Sequence, residues 1–384
     1  MSKTLKWVIA IIVIIIVIAG VWCLVVGNSS SLSTTATSTE SIKIGVVGTF
    51  TGVGSYYGQQ ETRGLQLAQE EINRSGGVNG RKIELITEDS QAAPDKSVSA
   101  MQKLINVDKA KYVIGDSWVS TTFAMVPVAN ELRVILISPV ASLKSLSQED
   151  MFFRTMPNTE VLMNKLADYA YNKMGSKKVA ILSQRTPFGE EHTQYFKVAF
   201  EKLGGKVVAI ENFDLMSKDV RSELTKAKEA NPDTILNLHA SGPSLGLLMK
   251  QARELGTNVK WISSFGAESA PLVKEYPNIT NGLVYVYTFD TDSNNSTISN
   301  FVNQYQSKFG ELPDFTAANS YDALKLLSKA IATGDDILNV KQQLLSTTNY
   351  AGGSGLISFD QNGDANRNII VKEIKDGKFV KISD

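Results

Sequence analysis

Hydrophobic and polar positions divide this chain into three regimes. From Trp7 to Val26, twenty residues pass without a charge. At about 1.5 Å per residue such a run spans the hydrocarbon core of a bilayer as a helix. Lys3 and Lys6 precede it, so the positive-inside bias keeps them in the cytoplasm and exports the chain beyond residue 27. A cleaved signal peptide and a lipoprotein signal are the alternatives. The run is longer than a signal core of about 7–15 residues. Trp22, directly before Cys23, stands where a lipidation site needs a small residue. An anchor over residues 1–27 is the expectation. Residues 28–40 form the second regime, rich in Ser and Thr with little to bury, and are expected to be a flexible tether.

In the third regime apolar runs alternate with amphipathic stretches. IKIGVVG (42–48), KIELITE (82–88), KYVIG (111–115) and VILIS (134–138) predict buried parallel strands. KVAILS (178–183), KVVAIENF (206–213), DTILNLH (233–239), VKWISS (259–264) and GLVYVYT (282–288) predict five more. Helices are expected over Gln59–Asn73, Val98–Val107, Leu162–Met174, Glu190–Leu203 and Val220–Ala230. The repetition of strand and helix implies an α/β fold. Nine strands exceed one comfortable sheet, which predicts two doubly wound lobes with a break near residue 160. Antiparallel strands are expected around Leu356–Asp360, Ile369–Ile374 and Phe379–Ile382.

Composition narrows the function. Lys plus Arg and Asp plus Glu stand at 39 each, so no basic excess argues for nucleic acid. Cys23 is the single cysteine and lies in the apolar run, so the exported part has no disulfide. Open parallel sheets bind ligands beyond the carboxyl ends of their strands. The loops that qualify are Thr49–Tyr57, Asp116–Thr121, Ser138–Leu143, Gln184–Gly189, Ala240–Ser244 and Phe265–Glu268.

Three motifs imitate known chemistry, and each lacks a feature that the chemistry requires. Gly52, Gly54 and Gly58 come after a strand, but the spacing is one residue too long for a dinucleotide fingerprint, and Tyr56 and Tyr57 crowd it. Gly242-Pro-Ser-Leu-Gly246 matches a nucleophile elbow, whose histidine must lie downstream, yet His192 and His239 both lie upstream. Asp360, Asn362 and Asp364 resemble the start of a calcium loop that lacks its final glutamate, Val371 standing there instead. No catalytic constellation, metal site or cofactor is expected, and an enzyme is disfavoured.

The segments IKIGVVGTFTGVGSYYGQ (42–59), INRSGGVNGRKIEL (72–85), KYVIGDSWVSTTFAMVPVANE (111–131) and VILISPVAS (134–142) resemble the periplasmic branched-chain amino-acid binding proteins, the type I solute receptors of ABC importers. The similarity continues through residues 188–208, the helix around 251–256 and Tyr321-Asp-Ala323, and covers essentially 42–384. It implies two Rossmann-like lobes with a hinge, the first over 41–160 plus 285–340 and the second over 161–284 plus 341–384. The implied function is extracytoplasmic capture of a small carboxylate-bearing molecule, delivered to a permease and its ATPase subunits. A membrane-tethered sensor acting through a signalling partner is the alternative.

The resemblance also implies a site. The ligand carboxylate would be held by hydroxyls and backbone N–H groups of Trp118–Thr121 and Val140–Ser142, with Ser120, Ala141 and Ser142 as the chief candidates. Helix capping is the competing role for the two serines. Tyr57 and Phe188 match family aromatics of the first and second lobes, and Trp118 stands in the carboxylate loop. One departure is chemical. The family's acidic partner for an amino group falls at Phe265, and a position aromatic in the family falls at Ser241. An ammonium buried without an acceptor costs several kcal/mol. Asp116, Glu268 and Asp290 are possible substitutes that no spacing argument places. Aromatic walls without an acid predict that a ligand's amino group contributes little.

Overall fold

A computed structural model describes residues 40–383 apart from Glu149 and Ala240, together with Trp7. The expected anchor and tether fall outside these residues except for Trp7 and Glu40. Among the described residues no helix is long and apolar enough to cross a membrane.

The first half of the chain runs β1 (Ile42–Gly48), α1 (Ser55–Arg74), β2 (Ile83–Asp89), α2 (Pro94–Asn106), β3 (Tyr112–Gly115), α3 (Val119–Leu132), β4 (Ile135–Ser138) and β5 (Phe152–Arg154). These strands form a parallel sheet in the order β2-β1-β3-β4-β5. Next come α4 (Thr159–Asp168), β6 (Lys178–Gln184), α5 (Pro187–Lys202), β7 (Lys206–Phe213), α6 (Arg221–Glu229) and β8 (Thr234–Leu238). The second half continues with α7 (Gly242–Glu254), β9 (Lys260–Ser263), α8 (Ala270–Glu275) and β10 (Val284–Tyr287). Its parallel part is ordered β7-β6-β8-β9-β10, which repeats the winding of the first sheet. All nine expected parallel strands are present. β5 is additional, three residues too short to announce itself by periodicity.

After β10 come α9 (Ser296–Phe309), α10 (Phe315–Ile331), α11 (Ile337–Leu345), β11 (Tyr350–Gly352), β12 (Gly355–Phe359), β13 (Ala365–Asn366), β14 (Ile370–Lys375) and β15 (Lys378–Ser383). α10 is buried along almost its whole length and packs on α1. Gly64 makes that approach possible, because a Cβ there would lie 2.1 Å from the Ala317 carbonyl oxygen. β14 and β15 extend the second sheet in antiparallel fashion.

Residues 341–384 were expected with the second lobe, but part of this stretch packs on the first. Asp322 on α10 accepts the Gly353 and Ser354 N–H groups at 2.7 and 2.8 Å. Arg154, at the end of β5, is fully buried and donates to Asp364 at 2.8 and 2.5 Å. Only β14 and β15 return to the second sheet. The reason is charge: a buried guanidinium and a buried carboxylate each need a partner, and residues 353–364 supply them.

The chain passes between the two sheets after β5, after β10 and after β13. Arg367 joins all three crossings. Lying on the third, it donates to the Thr155 carbonyl at 2.9 Å, the Thr288 carbonyl at 3.1 Å and Asn319 Oδ1 at 2.7 Å. Burial pulls its guanidinium down to about 10, so it stays charged at neutral pH.

Candidate functional site

In a sheet wound in this order the strand sequence reverses between β1 and β3, and again between β6 and β8. Helices depart to opposite faces there and leave a crevice at the strand ends. The two crevices face each other. The cleft between them is lined from the first lobe by Tyr57, Ser117–Ser120, Val140 and Phe315. Gln184, Phe188, Phe265 and Gly266 line it from the second. Its empty space is about 380 Å³ including the open mouth, of which about 20 Å³ admits the centre of a water-sized sphere. That is room for about one water.

The lobes are closed in this conformation. Tyr57 donates its hydroxyl to the Gly266 carbonyl across the cleft at 3.1 Å. At the rim, the Glu191 carboxylate on α5 accepts the backbone N–H groups of Lys144 and of Ser145, the latter at 3.0 Å. Aromatic rings complete the contact: Phe265 meets Phe315 edge-on at 5.3 Å and Phe188 at 5.8 Å, and Tyr57 lies 6.4 Å from Trp118. A leucine-sized molecule therefore requires the lobes to stand farther apart.

Of the expected site residues, the structure brings Tyr57, Trp118, Ser120, Val140, Phe188 and Phe265 to one cleft. Ser120 sits at the second position of α3, whose N-cap Trp118 offers no side-chain acceptor. The first amides of α3 thus keep no side-chain cap where Val119 and Ser120 border the cleft, an arrangement suited to an anion. Ala141, Ser142 and Ser241 do not line it. The N–H groups of Val140 and Ala141 turn inward to Ser138 Oγ at 3.3 and 3.0 Å. Ser142 is fully buried, its Oγ has no hydrogen-bond partner, and its carbonyl accepts from Thr159. Ser241 is the N-cap residue of α7 and donates its N–H to His239 Nδ1 at 3.2 Å.

Ser117, Val119, Gln184 and Gly266 lie in loops that the sequence marked without singling them out, and Phe315 was missed altogether. Phe315 carried a readable signal, since Pro313-Asp-Phe315 opens an apolar run with a capping residue. Its distance from the parallel strands in sequence concealed that α10 returns to the cleft.

The three substitute acids are occupied elsewhere or lie behind the wall. Glu268 is buried against Lys372 at 2.7 Å and accepts the Tyr285 hydroxyl at 2.6 Å. Asp290 faces Lys381 at 3.7 Å. Asp116 is buried beneath the α3 loop, accepts from Thr49 Oγ1 and Ser117 Oγ, and is pushed up to about 6 by desolvation. Glu61 on α1 lies beside it, fully buried, and is raised well above the ordinary carboxylate range by desolvation and then by Asp116.

The decoy motifs resolve as structure. Gly58 sits inside α1, where a Cβ would strike the Thr49 carbonyl oxygen at 2.1 Å. Pro243 and Ser244 lie in the first turn of α7. Burial lowers His192 to about 3 and His239 to about 4, so both rings are neutral. Asp364 is engaged with Arg154. No cluster of three potential metal-ligating side chains occurs among the described residues.

Two similarly wound lobes closing on a strand-end cleft match a family model described as periplasmic binding protein over residues 41–378. The chain belongs to the periplasmic binding protein family. Among its relatives is the Leu/Ile/Val-binding protein homolog 2 of Brucella abortus, 27% identical, with 89% of this chain and 94% of that protein covered. A leucine binding protein from Thermotoga maritima superposes with a TM-score of 0.83 at 26% identity, over 89% of this chain and 98% of the other. A solute binding protein of an ABC transporter from Rhodopseudomonas palustris BisB5, in complex with 3,4-dihydroxy benzoic acid, gives 0.81 at 25% identity, over 89% and 96%. The resemblance seen in the sequence is thereby borne out. Membership in this family favours an extracytoplasmic solute-binding role over catalysis.

Proposed function

We propose that this chain is a solute receptor of an ABC importer, which closes its lobes over a small carboxylate-bearing molecule and presents it to a permease and its ATPase subunits. The observation that carries this reading is the amino end of α3, with no side-chain cap, opening onto an aromatic cleft that both lobes share. A carboxylate accepts hydrogen bonds from such amides, and the helix dipole favours its charge. The rings of Tyr57, Trp118, Phe188, Phe265 and Phe315 suit an apolar remainder, aliphatic or planar. Relatives named for leucine and for an aromatic acid both fit that description. Anchoring by residues 1–27 belongs to the same proposal, keeping the receptor at the extracytoplasmic face of the membrane.

The test is a thermal-shift screen against aliphatic amino acids, short carboxylates and benzoates. A ligand at 100 times its Kd stabilises the folded state by about 2.7 kcal/mol. A carboxylate hit that loses about tenfold or more in affinity in a Ser120→Pro variant, which removes one first-turn amide, supports the α3 site. No stabilisation by any of these carboxylates would sink the reading.

A further inference from the structure

Two acids stand directly behind the first-lobe wall of the cleft. Glu61 on α1 and Asp116, just after β3, are both fully buried. A Cβ on Gly48 would lie 3.0 Å from Glu61 Oε2, and the next residue, Thr49, donates its hydroxyl to Asp116 Oδ1 at 3.0 Å. Neither oxygen of Glu61 has a well-formed hydrogen bond, and Asp116 Oδ2 has none either. The elements around the pair bring hydroxyls: Thr49 from β1, Ser90 from the end of β2, Ser138 from β4, and Ser117, Thr121 and Thr122 from the start of α3. Charged groups on these elements are engaged elsewhere. Asp89 accepts the Phe50 and Gln91 N–H groups and the Thr51 hydroxyl. On α2, Asp95, Lys96 and Lys103 are exposed. On α10, Asp322 accepts the Gly353 and Ser354 N–H groups, while Tyr321 and Lys325 meet Glu71. Tyr57, one turn before Glu61, keeps its proton because burial raises its phenol.

Ser117 joins the pair to the cleft. It lines the cleft, donates its hydroxyl to Asp116 Oδ1 at 3.3 Å and accepts the Thr49 N–H at 3.3 Å. An ionised Asp116 holds that hydroxyl hydrogen, whereas a protonated one leaves it free to donate to an anion in the cleft. Charge acts in the same direction. A ligand carboxylate at the start of α3 and an ionised Asp116 beneath the same loop repel each other, in surroundings that screen poorly.

We propose that Glu61 and Asp116 are positioning residues that couple capture of an anionic ligand to the uptake of a proton, so that the cleft binds a carboxylate more tightly as pH falls from 8 to 6. This rests on the receptor reading above. Desolvation pushes Asp116 up to about 6 and holds Glu61 well above the ordinary carboxylate range, and two interacting acids titrate as a unit. An anion arriving beside them raises that titration further. A rise of about one pH unit makes the ligand about fivefold tighter at pH 6 than at pH 8.

The experiment is calorimetry with leucine, phenylalanine, 4-methylpentanoate and benzoate at pH 6, 7 and 8, and at pH 7 in both phosphate and Tris. The carboxylates of all four stay ionised over this range. The wild type is expected to bind about fivefold more tightly at pH 6 than at pH 8. Its binding should also be less exothermic in Tris than in phosphate, because the proton taken up comes from the buffer. Asp314, at the N-cap of α10, is also buried and pushed up to about 7, so a variant identifies the pair. Glu61→Gln/Asp116→Asn keeps both side-chain shapes and removes both titrating groups. It is expected to bind with one Kd from pH 6 to 8 and one enthalpy in both buffers. Asp116→Asn alone replaces it if the double variant does not melt cooperatively. A wild-type Kd that is flat from pH 6 to 8, with no buffer dependence, overturns the inference and leaves the receptor reading standing. Proton uptake retained in the variant overturns the role of Glu61 and Asp116. Binding of no carboxylate, in the screen or here, overturns both.

Discussion

Replacing Glu61 by Gln should stabilise this protein at pH 8 and have little effect at pH 4.5. Glu61 is fully buried on α1, and both its oxygens lack a well-formed hydrogen bond. It lies beside Asp116, under the Ser117 end of the α3 loop. The Asp116 side also presents only the hydroxyls of Thr49, Ser90, Ser117 and Thr121, with no basic group among the influences on either carboxyl. Both acids are raised in the folded state, so the native protein holds protons that the unfolded chain has released. Stability then falls as pH rises from the unfolded value, about 4.3 for Glu, toward the folded one. The slope is about 1.4 kcal/mol per pH unit for each group in that window. For Asp116, moving from 3.8 to about 6, the full loss is about 3 kcal/mol. The amide introduced by Glu61→Gln is neutral at every pH, so the gain from losing the Glu61 carboxyl grows with pH. One kcal/mol moves Tm by about 2–4 °C in domains of about 150–250 residues, and by somewhat less here. The assay is thermal unfolding of wild type and Glu61→Gln at pH 4.5, 6 and 8. Parallel Tm profiles, or a variant increasingly less stable toward pH 8, would refute the idea that Glu61 is protonated in the fold.

Other expectations rest on single contacts. Arg367→Met removes three hydrogen bonds of 2.7–3.1 Å that tie the crossings. It should cost about 3 kcal/mol or more in urea unfolding, through carbonyls left unpaired. Glu191→Gln weakens the rim contact with the Lys144 and Ser145 amides, and small-angle scattering should report a larger radius of gyration without ligand. Gly64→Ala forces α1 away from α10 and should destabilise by about 1–3 kcal/mol in the same unfolding assay. If residues 1–27 are retained as a membrane helix, the protein fractionates with membranes until detergent is added, and an intact mass beginning near Asn28 would exclude that.

Most parallel strands were legible because burial on both faces writes them as apolar runs with few interruptions, as in Ile42–Gly48, broken only by Lys43, and in the Val-Ala-Ile-Leu centre of Lys178–Gln184. Their carboxyl ends then marked the loops around Tyr57, Trp118, Phe188 and Phe265. The inward turn of Ala141 and Ser142 was not legible, because it depends on Ser138 Oγ competing for amides that the resemblance assigned to a ligand. Nor was the attachment of residues 350–366 to the first lobe, which depends on a buried pair, Arg154 and Asp364, separated by most of the chain.

Trp118 offers the most direct test of ligand capture in this cleft. It is the described tryptophan in the cleft wall, at the N-cap of α3, whereas Trp261 lies on β9. Titrating the purified protein with a carboxylate found in the screen should give a saturable change in tryptophan emission that disappears in Trp118→Phe. The Kd from this change should equal the calorimetric one. Calorimetric binding with unchanged emission, or an emission change retained in Trp118→Phe, would place the ligand elsewhere and contradict the account.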